Sequence, residues 1–213
     1  MEPASAAETG RAVAEKLRLY RSDASGWRSC RSGHGLSISW RPSTEFPGNL
    51  YRGEGLVCGS PEQVWQCLKP VPNGLRTEWD ANVKGFEVVQ TIGEDLSICR
   101  TLTPSAAMKL ISPRDFVDLV LIKKYDDGSI TSNATHVDHP LCPPQPGYVR
   151  GFNHPCGCFC EPVPGDPNKT QLFSFFQTDL GGHLPQTVVD SFFPHSMAEF
   201  YRNLQKAVRQ LQA

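Results

Sequence analysis

The sequence predicts an α+β fold: an antiparallel sheet with a long helix packed on it. Two observations carry this. From Pro185 to Leu211, apolar side chains fall at Val189, Phe193, Met197, Phe200, Leu204, Val208 and Leu211. Those gaps are three or four throughout, one face of a helix about 40 Å long at ~1.5 Å per residue. Ahead of it, β-branched and aromatic runs alternate with turns rich in Gly, Pro and Asp, the mark of a many-stranded sheet. The 213 residues suit one domain, 1–213, large enough to bury a core and still enclose a cavity.

The elements follow in order. Ala12, Val13, Leu17 and Tyr20 sit at helical intervals, so a helix covers residues 4–20. Gly33 and Gly35 mark a tight turn, and Leu36-Ser37-Ile38-Ser39-Trp40 alternates as a half-buried strand. Residues 51–57 form another strand. Ser60-Pro61-Glu62-Gln63 starts a short helix, with Ser as N-cap, Pro in the first turn and Gln at the capping-box position. Strands are expected at 86–92, 96–103, 116–125 and 130–137. Asp126-Asp127-Gly128 is the hairpin turn between the last two. Four prolines make 139–146 an irregular loop. Residues 148–153 and 156–161 read as a strand broken at Pro155. Pro164 to Asn168 is a turn, and a strand runs from 171 to 180. Pro194 lies inside the last helix and should kink it.

The passage from Ser105 to Tyr125 is the most informative. Pro113 disfavours helix at Ser112, so a loop ends there and an apolar strand begins at Phe116. That loop, Ser105-Ala106-Ala107-Met108-Lys109-Leu110-Ile111, is small and apolar rather than polar. Such a loop suggests a cover over something apolar.

Composition excludes several classes. A net charge of −1 supplies no field for nucleic acid. No apolar run approaches the ~20 residues of a membrane span. Met1 to Glu8 carries neither the basic nor the apolar part of a secretory signal, and neither myristoylation nor prenylation motifs occur. Eight cysteines without such a signal predict reduced thiols in the cytosol, where the sequons at Asn133 and Asn168 are chance matches.

Four passages carry a resemblance: Trp79-Asp80; Ser112-Pro113-Arg114-Asp115-Phe116; Val149-Arg150-Gly151-Phe152-Asn153-His154-Pro155-Cys156-Gly157; and Thr178-Asp179-Leu180 followed by Leu184-Pro185. Together the chain resembles the START family of lipid-transfer domains over essentially its whole length. The resemblance implies a helix-grip fold, in which a curved sheet wraps the C-terminal helix around a lipid tunnel, and a cytosolic carrier of one sterol-like lipid. The family's steroidogenic member pairs a Glu and an Arg inside its tunnel. The corresponding positions here are Thr101 and Val120, or Thr103 if the register slips. The buried ion pair is therefore expected to be absent, which relieves a desolvation cost of several kcal/mol per ion. The ligand's polar head must then meet hydroxyls or another cation, such as Arg76.

Other groupings are weighed against plainer readings. His154 with Cys156, Cys158 and Cys160 suggests metal. But alternate residues of a strand share one face, whereas structural zinc wants pairs of Cys around a turn. Buried apolar thiols are the favoured reading, with no zinc and no other cofactor. His136, Asp138 and His139 lack a nucleophile partner and read as a strand end. Gly53, Gly55 and Gly59 have the wrong spacing for a dinucleotide loop. Arg76 and Trp79 lie on a loop or strand start, where Arg76 either packs on Trp79 as a cation–π pair or faces the tunnel. Thr101 and Thr103 share a strand face, and Ser132 is a further strand hydroxyl.

The expected ligand-binding residues are Arg76, Trp79, Thr101, Thr103, Val120, Ser132 and Asn153. The expected gate comprises Met108, Leu110 and Ile111 of the loop, with Phe192, Phe193, Met197, Phe200 and Tyr201 of the last helix. The function expected is non-enzymatic carriage of one sterol or bile acid per chain, with transient membrane contact and no obligate protein partner. A helix-grip enzyme acting on steroid or aromatic substrates, or a lipid-sensing interaction module, are the alternatives.

Overall fold

A computed structural model describes residues 1–213. Helix α1 (Pro3–Ser22) leads into strands β1 (Arg28–Gly33), β2 (Leu36–Pro42) and β3 (Asn49–Val57). Helices α2 (Pro61–Leu68) and α3 (Arg76–Trp79) follow. Then come β4 (Gly85–Gly93), β5 (Leu96–Thr103), β6 (Arg114–Lys124) and β7 (Ile130–His136). The short β8 (Val149–Arg150) and β9 (Phe152–Asn153) precede β10 (Cys156–Val163), β11 (Asp166–Phe176), β12 (Thr178–Asp179) and helix α4 (Gln186–Gln212).

The main sheet has ten strands in the order β1-β2-β3-β11-β10-β7-β6-β5-β4, with β8 paired alongside β6; β9 and β12 form a separate ribbon. Register shifts within β1–β2, β10–β11 and β4–β5 bend the sheet. This is the curved antiparallel sheet and terminal helix that the sequence predicts.

The sheet is buried on both faces, and β-strand alternation shows it. On β10, Cys158 and Cys160 join the core under α2 and α4, whereas Phe159 joins Val13, Leu17 and Tyr20 of α1. On β6, Val117 and Leu119 pack with Ala6 of α1, and Phe116 packs on the α4 side. So α1 covers the outer face and α4 the inner one.

Local chemistry sets several boundaries. Ser60 Oγ accepts from the Gln63 N–H at 3.2 Å, and Gln63 Oε1 accepts from the Ser60 N–H at 3.0 Å, completing the capping box of α2. Gly128, with φ of +88°, turns β6 into β7. Four expectations are corrected. Strand β1 was not anticipated; its residues Arg28–Gly33 are exposed throughout and are held by the β2 ladder. Arg76–Trp79 is a single helical turn rather than loop or strand. The turn after β10 is tighter than Pro164–Asn168, because Asp166 already pairs with Val163. The expected strand at 171–180 begins at Asp166 and breaks after Phe176, with β12 turning away to pair β9. Helix α4 continues through Pro194.

Candidate functional site

Between the inner face of the sheet and α4 lies a cavity of about 270 Å³. Its wall is mainly apolar: Phe86, Phe116 and Val120 from the sheet face Phe193, Met197 and Phe200 from α4. Strand period places Phe116, Asp118 and Val120 on this side of β6, and Ser132 and Ala134 on this side of β7.

The wall includes Arg76, Thr101, Thr103, Val120, Ser132 and Asn153. Several of these polar groups are already engaged. Thr103 Oγ1 accepts from the Arg114 N–H at 3.2 Å and lies 3.3 Å from the Arg114 carbonyl. Thr103 faces Arg114 in the ladder and Thr101 faces Phe116. Ser132 Oγ accepts from the Cys158 N–H at 3.3 Å. Arg76 Nε donates to Asp80 Oδ2 at 2.7 Å, and its guanidinium also lies 5.6 Å from the Trp79 ring and 5.4 Å from the Phe200 ring. Both readings of Arg76 therefore hold at once: it packs on Trp79 and lines the cavity. Trp79 itself stands outside the wall. Its indole N–H donates to the Cys67 carbonyl at 2.8 Å, and its ring packs beside Phe200.

The loop before β6 closes on itself. Ala106 and Ile111 exchange both backbone hydrogen bonds, at 2.8 and 3.1 Å. Between them Ala107, Met108 and Lys109 all have positive φ, at 51°, 53° and 68°. Three successive non-glycine residues in the left-handed region cost roughly 1–2 kcal/mol each, so this turn is strained. Ala106 and Ile111 point inward and line the cavity, whereas Met108 is 94 % exposed and Leu110 60 % exposed. Phe192, Phe193, Met197 and Phe200 complete that wall. Tyr201 does not belong to it. Its hydroxyl lies 2.9 Å from Ser174 Oγ and donates to the Leu172 carbonyl at 2.9 Å, which turns the ring toward β3 and β11.

Beyond Arg76 and its partner Asp80, the wall holds two more charged residues outside the expected set, Arg114 and Asp118. Arg114 is buried, and carbonyls rather than a carboxylate accept its protons: Leu180 at 2.8 Å, Ser112 at 2.7 Å and Gly181 at 2.9 Å. Gly181 and Gly182 adopt φ of +66° and +70°, a backbone open chiefly to glycine, and so carry the chain past this guanidinium. Asp118 is 7 % exposed. Its Oδ2 accepts from Asn153 Nδ2 at 2.9 Å, Asn153 Oδ1 in turn accepts from Thr178 Oγ1 at 2.7 Å, and Asp118 Oδ1 has no partner. Burial pushes the Asp118 carboxyl up to about 6, against the Asn153 amide and His136. Thr101 and Val120, where the ion pair is expected to be absent, are uncharged, but a buried carboxyl stands one alternation from Val120. The signal was present, since an acidic residue in phase with Phe116 and Val120 must share their face. By contrast, Asp115 points to the other face and pairs Arg100 at 3.0 Å and Arg150 at 2.8 Å.

The thiols follow the strand. Burial pushes Cys158 up to about 11, and Cys156 and Cys160 well above the usual thiol range. Protonated thiols in an apolar wall are poor metal ligands.

The START domain pattern matches residues 8–213. The chain belongs to the START domain family. Within this START family it is 73 % identical to StAR-related lipid transfer protein 5 of Mus musculus over 209 residues, covering 98 % of each chain. The solved structure of human StAR-related lipid transfer protein 5 superposes with a TM-score of 0.95 at 66 % identity, over 100 % of both chains. A Streptomyces aromatase/cyclase, Zhui, matches with a TM-score of 0.54 at 10 % identity, over 77 % of this chain and 95 % of its own, and shares the fold alone. The fold is therefore shared with a protein named an aromatase/cyclase, and the residues of this cavity's wall must decide what it does here.

Proposed function

We propose that this START domain is a non-enzymatic cytosolic carrier that binds one sterol-like lipid, a cholesterol-type sterol or a bile acid, and transfers it between membranes. The observation that carries the reading is the apolar cavity under α4 with a few polar groups set in its wall. Such a wall suits a rigid amphiphile: burying ~300 Å² of apolar ligand surface at ~25 cal/mol/Å² contributes roughly 7 kcal/mol before the costs of association. The relatives' names as lipid transfer proteins support the same reading.

The ligand-contacting residues in this proposal are Arg76, Thr101, Thr103, Val120, Ser132 and Asn153. The gate is the loop at 104–111 with the first turns of α4. At about 270 Å³ the cavity is at the small end of drug-sized sites, so a steroid needs the wall to yield. Strain at Ala107–Lys109 lowers the cost of that movement. Exposed Met108 and Leu110 are the groups that would touch a membrane first.

Native mass spectrometry of the purified protein titrated with cholesterol and with a bile acid tests the proposal. Saturation at one unchanged steroid per chain is expected. Several ligands per chain, or a product mass, would sink it.

A further inference from the structure

Three buried side-chain atoms lack a hydrogen-bond partner: Asp118 Oδ1, Tyr125 Oη and Asn133 Oδ1. Of the three residues, Asp118 alone belongs to the cavity wall. A buried polar atom left unpaired in an apolar setting is costly, and a group that supplies the missing bond recovers that cost. We infer that Asp118 is the orienting acceptor of this cavity: its Oδ1 takes a hydrogen bond from a hydroxyl of the bound lipid. The inference rests on the steroid reading above and adds to it the end of the molecule that meets β6.

The surroundings choose among head groups. Asn153 holds Oδ2, so one oxygen remains to be satisfied. A hydroxyl brings one donor, which matches. An ammonium brings three donors, whereas Asp118 Oδ1 is the one buried, unpartnered side-chain acceptor of this wall. A ligand carboxylate would be repelled here and is directed away from Asp118, toward the guanidinium groups of the wall, Arg76 and Arg114. Asp118 therefore selects a hydroxyl over a carbonyl at the same carbon, because a ketone and a carboxylate are both acceptors with nothing to share.

Substituting Asp118→Asn turns the acceptor into a donor with little change in shape. The new amide must keep its oxygen toward the Asn153 N–H donor, since the flipped amide would set donor against donor. Its NH₂ then stands where Oδ1 was and donates to a ketone or a hydroxyl oxygen alike, so the preference for a hydroxyl is lost.

The test uses two matched pairs, each with one oxygen at carbon 3: cholestanol against cholestanone, and lithocholate against its 3-oxo counterpart. Affinities are read at pH 7.5 by competition with a fluorescent sterol, for wild type and Asp118→Asn, with thermal unfolding as the check on folding. Wild type should favour the hydroxyl member of whichever pair it binds by about tenfold, the scale of one hydrogen bond to a charged group. Asp118→Asn should bring the ratio near one, because a hydroxyl oxygen and a ketone oxygen both accept from its amide. Asp118→Ser, with a hydroxyl that both donates and accepts, should bring the ratio near one and serves if the Asn variant unfolds. A hydroxyl preference unchanged in a folded variant overturns the assignment of Asp118 and leaves the steroid reading standing. Saturable binding of neither pair by wild type overturns the steroid reading, and the assignment falls with it.

Discussion

Asp118→Asn should make the empty protein more stable, and by an amount that depends on pH. The folded-state Asp118 carboxyl is pushed from the ordinary 3.8 to about 6, chiefly by burial. Such a rise is worth about 3 kcal/mol between its protonated and ionised forms. The residue is 7 % exposed, so solvent screening leaves little to discount. The sign follows from proton linkage. A carboxyl with a raised folded value binds its proton more tightly when folded, so its contribution to stability is complete below about 3.8 and is lost as pH rises through about 6. The groups facing it are His136 across the β7 ladder, Cys99 across the β5 ladder, Cys156 on β10 and the Asn153 amide. Asparagine does not titrate. The stability gap between variant and wild type should therefore be small near pH 4 and open to about 3 kcal/mol in the variant's favour by pH 7.5. Titratable groups common to both proteins, including Asp115, which Arg150 and Arg100 hold below the usual carboxylate range, cancel in the difference. Urea unfolding of the ligand-free proteins across that range measures it. A gap that stays flat from pH 4 to 7.5 would refute the reasoning, because the carboxyl would then be ionising as freely inside the fold as outside.

Other substitutions separate gate, pocket and packing. An engineered disulfide joining the loop at 104–111 to the first turns of α4 should slow steroid uptake and liposome-to-liposome transfer, and reductant should restore both. Equal stopped-flow rates with and without reductant, with the disulfide confirmed by mass, would place the entrance elsewhere. Arg76→Leu alone should destabilise the fold by about 2 kcal/mol, since it strands Asp80, 5 % exposed, without its partner. Paired with Asp80→Asn most of that loss should return, so the double variant reports the contribution of Arg76 to steroid affinity by calorimetry. Tyr201→Phe should cost about 1–2 kcal/mol in thermal unfolding through the lost bonds to Leu172 and Ser174, with steroid affinity unchanged. A large loss of affinity in that variant would return Tyr201 to the cavity wall.

Periodic features were the readable part of this sequence. The stripe from Val189 to Val208, the capping box at Ser60 and the hairpin at Gly128 each rest on local rules that the tertiary structure leaves intact. Strand β1 escaped notice because an exposed edge needs no apolar alternation, only a partner ladder. Residue type also says less than direction. Trp79 and Tyr201 are aromatic, as a cavity wall requires, yet hydrogen bonds from Trp79 to the Cys67 carbonyl and from Tyr201 to the Leu172 carbonyl turn both rings away. Asp118 erred in the opposite sense. Charge in a strand suggests water, and only the phase shared with Phe116 and Val120 shows that it faces inward.

The Arg114 fork has a mechanical meaning. It joins Ser112, the last turn of one flap, to Leu180 and Gly181, the lead into the other. Two jaws riveted at one point do not swing independently. Displacing the loop drags the root of α4 with it, or else tears hydrogen bonds from a buried guanidinium. In the gating proposed above, loop and helix root therefore act as a single hinged part, and a push at exposed Met108 is felt at the start of the helix that roofs the cavity.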